Sequence, residues 1–345
     1  MSTNDKRKKK LKVGILFNRP AEPSRGEDSD YVAEAEVEEQ AESVQKALDK
    51  LGFEYQMLPF EIDLELLIKA LKKYRPDVVI NLCEGAFGDS HQELNVPSML
   101  ELLNIPYTGS PPLALGMAQN KGLTKKILEA NELPTPKFKV LESPDNWQGD
   151  IGFPLFVKPL REDASIGISN KSYVRNEAEL KAQVEYITNR YKQPALVEEY
   201  VAGRELNVAI LGNENPRALP ISEITFDFKD EPKIVGFSAK WFKESDEYKK
   251  TKPVCPALLD PSVKNNVEKI ALQAFEILYC RDYARIDIRL RDNSPWILEV
   301  NPNPDISPAA GFSRSLKAAG LSYEQFVEKI IQFALHRASK RNHQT

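Results

Sequence analysis

The chain has 345 residues, enough for two or three domains and a large core. Charged residues make up 28%, with 47 Lys and Arg against 51 Asp and Glu and a net charge of −4, so a broadly basic nucleic-acid binder is excluded. No apolar stretch reaches bilayer length, and MSTNDKRKKK leads into a strand rather than a signal-peptide core, so a cytoplasmic protein without a membrane partner is the expectation.

The one basic run, Lys6 to Lys12, reads as a solvated segment ahead of the first strand. Lys12–Phe17 is predicted as that strand and Glu34–Leu51 as a helix, with a polar, proline-containing loop from Arg19 to Asp30 between them. Strands are predicted at Tyr55–Leu58, Val78–Leu82 and Ile105–Thr108, with helices at Glu61–Tyr74 and Val96–Leu103. This alternation implies a parallel sheet covered on both faces, closing near residue 110 at TGSPP. A second unit follows, with a helix Gln119–Asn131, strands at Lys137–Val140, Leu155–Lys158 and Leu196–Glu199, and a helix Glu177–Arg190. A third begins near residue 200 with strand Glu205–Leu211. It holds a long polar stretch (Ser222–Thr251), a helix Pro261–Leu278, a hairpin and a terminal helix Tyr323–Arg337.

Three widely spaced cysteines, Cys83, Cys255 and Cys280, argue against a disulfide scaffold. Of three histidines, His336 and His343 lie near the C-terminus, so a His-rich metal centre is not expected.

The hairpin carries the first chemical signal. Ala284–Leu290 (ARIDIRL) and Trp296–Asn301 (WILEVN) both alternate, joined by RDNSP. Setting Leu290 against Trp296 places Ile286, Ile288 and Leu290 opposite Trp296, Leu298 and Val300 on one face. Asp287 then faces Glu299, and Arg285 faces Asn301. Two carboxylates opposite each other repel unless a cation lies between them. Two acids and the Asn301 amide oxygen suit Mg²⁺ or Mn²⁺ bridging to phosphates, and Arg285 beside them can steady an oxyanion. A solvated polar face fits the pattern equally well.

The chain lacks GxxxxGK[ST], GxGxxG, HExxH and GxSxG. It has instead Phe156–Pro159 (FVKP) followed by LREDASIGI, where Lys158 ends a buried strand and a loop with Ser165 and Gly167 can offer N–H groups to phosphate. Further on, EEYVAGRE joins two strands with Glu198 and Glu205 seven residues apart. A backbone there can pair with an adenine edge while an acid holds ribose hydroxyls.

Five segments in order carry a resemblance to the ATP-grasp superfamily, most closely to the D-alanine–D-alanine ligases. They are MLELLNIPYTGS, NKGLTKKIL, FVKP with its loop, VEEYVAGRELNVAILG and RIDIRL…WILEVNPNP. The resemblance implies a three-domain α/β (in part α+β) fold: a parallel N-terminal domain (1–110), a small central α+β domain (111–199) and a C-terminal α+β domain (200–345), with ATP between the last two. It implies Lys121 and Lys158 on the ATP phosphates, Glu198, Glu199 and Val201 along adenine, and Glu205 on the ribose. Lys240 matches the lysine of a loop folding over the triphosphate, and Ser165 belongs to the phosphate loop. Asp287, Glu299 and Asn301 match magnesium ligands, and Arg285 the arginine that steadies the tetrahedral intermediate.

The amino-acid half departs from the family. Its glycine-rich N-terminal loop, with an acid for the first substrate's amino group, is replaced by FNRPAEPSRGED. Ala164 stands for a serine and Trp241 for a tyrosine; a methyl group makes no hydrogen bond, and indole donates one and accepts none. Cys83 stands for a histidine, Asp305 for a glycine, and Ala310 for the serine expected to hold the second substrate's carboxylate. Candidate replacements are Arg19, Glu84, His91, Arg161, Asp305, Ser307 and Arg314. The implied activity is ATP- and Mg²⁺-dependent joining of a carboxylate and an amine, with small-molecule partners, a rebuilt substrate pocket and room for a homodimer. A genuine D-alanine–D-alanine ligase, an ATP-grasp kinase and a non-catalytic nucleotide-binding module are the alternatives.

Overall fold

A computed structural model describes residues 11–19, 26–61, 63–228 and 232–342; the basic run up to residue 10 and most of the loop after Arg19 lie outside them. The first unit comprises β1 (Lys12–Asn18), α1 (Tyr31–Leu51), β2 (Glu54–Phe60), α2 (Leu64–Tyr74), β3 (Val78–Asn81) and α3 (Asn95–Leu102). Its three strands form a parallel sheet in the order β2-β1-β3. Gly52 at φ 71° closes α1, and the Asp63 carboxylate caps α2 by accepting from the Leu66 N–H.

The strand expected at Ile105–Thr108 is instead a single bridge between Val79 and Tyr107. Pro106 offers its carbonyl to the Val79 N–H (2.8 Å) but has no N–H to return, and Gly109 turns the chain away at φ 90°. A helix not expected from the sequence, α4 (Pro112–Gln119), precedes the predicted helix Gln119–Asn131, which forms as α5 (Lys121–Ala130); the two are separated at Asn120, whose side chain caps α5 by accepting from the Leu123 N–H.

The central unit has β4 (Phe138–Leu141), β5 (Leu155–Pro159), β6 (Tyr173–Val174), α6 (Glu177–Tyr191) and β7 (Ala195–Glu199), antiparallel in the order β4-β7-β5-β6. The last unit runs from β8 (Arg204–Gly212) and β9 (Arg217–Ala218) to β10 (Ser222–Phe226). The polar stretch then carries α7 (Phe237–Trp241) and α8 (Asp246–Lys250) before β11 (Thr251–Val254). After α9 (Pro261–Ile277) come β12 (Asp282–Arg291), β13 (Ser294–Asn301), α10 (Gly311–Ala318) and α11 (Tyr323–Asn342). Its sheet is antiparallel along β11-β10-β8-β12-β13, with β9 on β8.

Apolar spacing explains the packing. Val37, Ala41, Val44 and Leu48 form one stripe of α1 and meet Phe326, Val327, Ile330 and Ile331 of α11, so the first and last units share a core. Each of these Val, Leu, Ile and Phe side chains contributes about 1.5–3 kcal/mol on burial. Val267, Ile270, Ala271 and Ala274 of α9 cover the inner faces of β8, β12 and β13. Fully buried Asp282 pins distant segments, accepting from the Gly109 N–H (2.9 Å), Asn213 Nδ2 (2.9 Å) and the Arg337 guanidinium. Among the described residues no helix is long and apolar enough to cross a membrane.

Candidate active site

The hairpin holds the predicted chemistry with one revision. Arg285 pairs with Asn301 and Asp287 with Glu299, but the register shifts between Asp287 and Ile288. Beyond it Ile288 faces Ile297 and Leu290 faces Pro295, so the expected Leu290–Trp296 pairing does not form. The bulge lets Ile297 take the core position, while Leu298 joins Glu299 on the wall of a cleft. Trp296 leaves the core face and stacks 5.1 Å from the Arg291 guanidinium.

That cleft, about 950 Å³, opens between β5 and β7 on one side and β8, β12 and β13 on the other. Lys121, Lys158, Glu199, Val201, Glu205, Asp287 and Glu299 all line it. Lys158 Nζ lies 2.9 Å from Glu198 Oε1 and 3.9 Å from Glu299 Oε2. Lys121, at the start of α5, donates to the Glu162 carbonyl (2.6 Å) and Asp163 Oδ1 (2.7 Å). Glu198 lines the cleft as well, with its carboxylate buried between Lys158 and Lys125, the latter 2.6 Å away. The cations outweigh burial and hold its carboxyl below the usual range. Glu199 pairs with Arg291 (2.7 Å) and Glu205 with Arg289 (2.7 Å).

Asp287 accepts both Arg285 Nε (2.8 Å) and Nη2 (2.9 Å), and Asn207 Nδ2 on the next strand at 2.6 Å. Asn207, opposite Asp287 in the β8–β12 ladder, escapes sequence reading because only the fold pairs the two strands. Asn301 Nδ2 bridges Asp287 Oδ2 (3.0 Å) and Glu299 Oε1 (3.4 Å), marking the gap between the two acids as the place for a positive group. Burial opposes the Glu299 charge, but Lys121, Lys158 and Arg285 prevail and hold it down at about 2. Burial raises Asp287 against the pull of Arg285. Among the described residues no cluster of three or more His, Cys, Asp or Glu is placed to hold a metal. Two carboxylates and one amide are instead a partial shell, fitting a hard cation whose other ligands come from phosphate and water.

The segment carrying α7 lies over this cleft. Phe237 N–H donates to the Ile168 carbonyl (2.9 Å), Ser165 Oγ to the Val235 carbonyl (2.9 Å), and Trp241 Nε1 to the Ala164 carbonyl (3.0 Å). The Ser165 hydroxyl therefore ties the two loops together, and the indole uses its single donor on backbone. Lys240 Nζ sits 4.6 Å above the Trp241 ring and faces both the cleft and a smaller cavity. Ala164 and Ser165 adopt φ 53° and 63°, strain of about 1–3 kcal/mol each that the ties to α7 help retain.

The smaller cavity, about 130 Å³, lies between α1, the loop after β3 and residues 301–305. Glu84 and Asp305 line it, joined by Glu36 from α1, which the sequence reading missed because the acid comes from a helix rather than the N-terminal loop. Burial and the Asp305 charge lift Glu36 to about 8 and Glu84 to about 7, while Lys240 opposes both. Gln40 Nε2 steadies Glu84 at 2.9 Å. Arg19 reaches this cavity with its guanidinium held by Glu61 (2.6 Å) and Glu38 (3.4 Å). Ser307 donates through N (2.7 Å) and Oγ (3.2 Å) to Asp305. His91 is corrected: it lines neither space and lies on the turn Ser90–Gln92, with Nδ1 3.5 Å from Asp89. Arg161 is likewise on neither wall, and Cys83 is fully buried. Arg314 lines the far end of the larger cleft.

A family model described as D-ala D-ala ligase C-terminus matches residues 127–332. A D-alanine–D-alanine ligase of Pelotomaculum thermopropionicum is 30% identical over 344 residues, covering 96% of this chain and 99% of that one. An uncharacterized protein of Sinorhizobium fredii, y4sG, is 34% identical over 305 residues, covering 86% and 88%. Among solved structures, the D-alanine–D-alanine ligase of Bacillus anthracis complexed with ATP superposes with a TM-score of 0.73 at 24% identity, over 96% of this chain and 99% of that chain.

Proposed function

The chain belongs to the D-alanine–D-alanine ligase family, and on that premise we propose that it is an ATP-dependent carboxylate–amine ligase with a substrate pocket of its own. A substrate carboxylate takes the γ-phosphoryl group of ATP to give an acylphosphate and ADP. An amine then attacks the acyl carbon, the C–O bond to phosphate breaks, phosphate leaves and the amine loses a proton. Carboxylate and amine as an ion pair do not condense in water, which is why activation is needed.

One observation carries this reading: lysines of the central unit (Lys121, Lys158) and the facing acids of the last unit (Asp287, Glu299) meet in a single cleft beside Arg285. In the proposed division of labour Lys121 and Lys158 hold phosphate oxygens, Glu205 the ribose, and the backbone of Glu199–Val201 the adenine edge. The segments 111–199 and 200–345 act as the two jaws around ATP. Asp287, Glu299 and Asn301 would hold magnesium, which when bound would supply positive charge against the phosphates. Arg285 steadies the oxyanion that forms on the acyl carbon, and its bidentate bond to Asp287 fixes the guanidinium beforehand. Lys240 closes over the transferred group with the α7 segment, whose ties to the phosphate loop exclude water from the acylphosphate. Glu36, Glu84 and Asp305 form an acidic recess beside Arg285, suited to the ammonium group of the activated amino acid.

Retention of an acid at the recess keeps open a strict D-alanine–D-alanine ligase, with Glu36 serving the first substrate. ADP release with single amino acids and with pairs separates the readings. A ligase needs two substrates, with product appearing in step with ADP. A kinase would turn over with one, and release with none would end the enzymatic reading.

A further inference from the structure

Arg314 lies on the first turn of α10, where the cleft wall is Ala309, Ala310 and Gly311. The other guanidinium groups on this cleft are matched: Arg285 by Asp287 at 2.8 Å and Arg289 by Glu205 at 2.7 Å. Among the described residues no carboxylate stands within 4.0 Å of Arg314. Its Nη1 donates to the Ala309 carbonyl (2.6 Å), while Nε is buried without a hydrogen-bond partner. Nη2 lies against Gly311, 3.4 Å from where a Cβ would be. Burial weighs against this cation and holds its pKa below the ordinary arginine value. A half-buried cation and an idle buried donor both carry a cost, and an anionic ligand group would offset both.

The wall offers that anion little else. Ala309, Ala310 and Gly311 have no side-chain donor, and the Ser307 hydroxyl is engaged by Asp305 (3.2 Å). Position assigns the ligand. Arg285 lines both spaces, whereas Glu84 lines only the acidic recess and Arg314 only the larger cleft. An amino acid with its ammonium in the recess and its reacting carboxylate at Arg285 leaves the Arg314 side for the second reactant.

We propose that Arg314 is a specificity-determining residue that binds the carboxylate of the amine substrate, so that the enzyme joins two amino acids rather than an amino acid and a simple amine. This rests on the ligase reading. A guanidinium can grip that carboxylate with two parallel hydrogen bonds and hold the amine toward the acyl carbon.

The test uses two amines against one activated amino acid: alanine (both enantiomers), which carries a carboxylate, and hydroxylamine, which does not and reports acylphosphate as hydroxamate. Alaninamide serves as a size-matched third probe. In Arg314→Gln the ratio of kcat/KM for alanine to that for hydroxylamine is expected to fall about 30-fold, with the alanine-over-alaninamide preference falling alike. Arg314→Lys, which keeps the charge without the fork, should restore part of the ratio. If both amines lose rate in parallel and the ratio holds, Arg314 acts on activation or folding and the inference is overturned. A wild-type enzyme indifferent between alanine and alaninamide overturns it too. A wild-type enzyme that forms neither ADP nor hydroxamate with any amino acid would instead refute the ligase reading beneath it.

Discussion

Along β5, β7 and β12 the cleft is lined by charges that already have partners. Lys158 and Lys125 share Glu198 at 2.9 and 2.6 Å, Glu205 holds Arg289 at 2.7 Å, and Arg285 grips Asp287. Toward α1 and α10 the charges stand differently. Glu36, Glu84 and Asp305 crowd one recess, where burial and the Asp305 charge push the Glu36 and Glu84 carboxyls upward, and among the described residues no carboxylate stands within 4.0 Å of Arg314. A matched set can wait for a polyanion without distortion. An unmatched set is unfavourable until a ligand of complementary charge arrives, so it reports the ligand's charges. The nucleotide end is thus built for pre-organisation and the substrate end for discrimination.

Removing charge at the matched end should cost most. Glu299→Gln is expected to lower ADP release by about 10³-fold, since one proposed cation ligand and a negative charge 3.9 Å from Lys158 are lost together. Three cations hold the Glu299 charge at about 2, so its loss should also lower the melting temperature modestly, although repulsion from Asp287 is relieved. Wild-type turnover in this variant would remove Glu299 from the site.

The comparison sharpens further in stability. Glu198→Gln strands two buried lysines and should destabilise the protein by about 3–5 kcal/mol. Glu84→Gln at the unmatched end should leave the melting temperature equal or higher at pH 8, because a crowded carboxylate is replaced by a neutral amide. Equal losses in both variants would erase the distinction between the two ends.

Glu205→Ala should have a smaller effect of a different kind: KM for ATP about tenfold higher, with kcat changed less, as for contacts that bind ground and transition states alike. A collapse of kcat at constant KM would place Glu205 in the chemistry.

How much of this was legible in the sequence follows the same division. The nucleotide end is written locally: FVKP, EEYVAGRE and ARIDIRL…WILEVN each present several site residues from one or two adjacent strands, where alternation tells which side chains share a face. Even there one extra residue in β13 re-aimed Leu298 and Trp296, since a bulge leaves no mark in an apolar pattern. The substrate end draws Glu36, Glu84, Lys240 and Asp305 from four distant segments, and no spacing rule links them. His91 shows the converse: a polar residue named from the sequence can sit on a turn that lines neither space. Arg314 was visible as a residue, but its lack of a carboxylate within 4.0 Å was not.

The smallest expected effect is the dependence of stability on pH, and it isolates the crowded recess. In the unfolded chain the Glu36 and Glu84 carboxyls titrate near their ordinary 4.5; folded, they are raised to about 8 and about 7 by burial and by Asp305. The folded state therefore binds more protons than the unfolded one between those limits. Stability from these groups is complete below about pH 4.5 and is lost as pH rises through 7 and 8, with a slope of at most about 1.4 kcal/mol per pH unit for each group. Lys240 and the Gln40 amide lessen the shift, and Asp305 deepens it. Asp305→Asn should consequently lower both pKa values and flatten the decline in melting temperature between pH 5.5 and 8. Glu93, raised to about 8 chiefly by burial, faces Asp163 and Glu84 rather than Asp305, so the slope should shrink without vanishing. Melting curves across that range for the wild type and Asp305→Asn decide the matter. Parallel curves would mean that the recess carboxyls do not feel one another, and the substrate end would lose its claim to be unmatched.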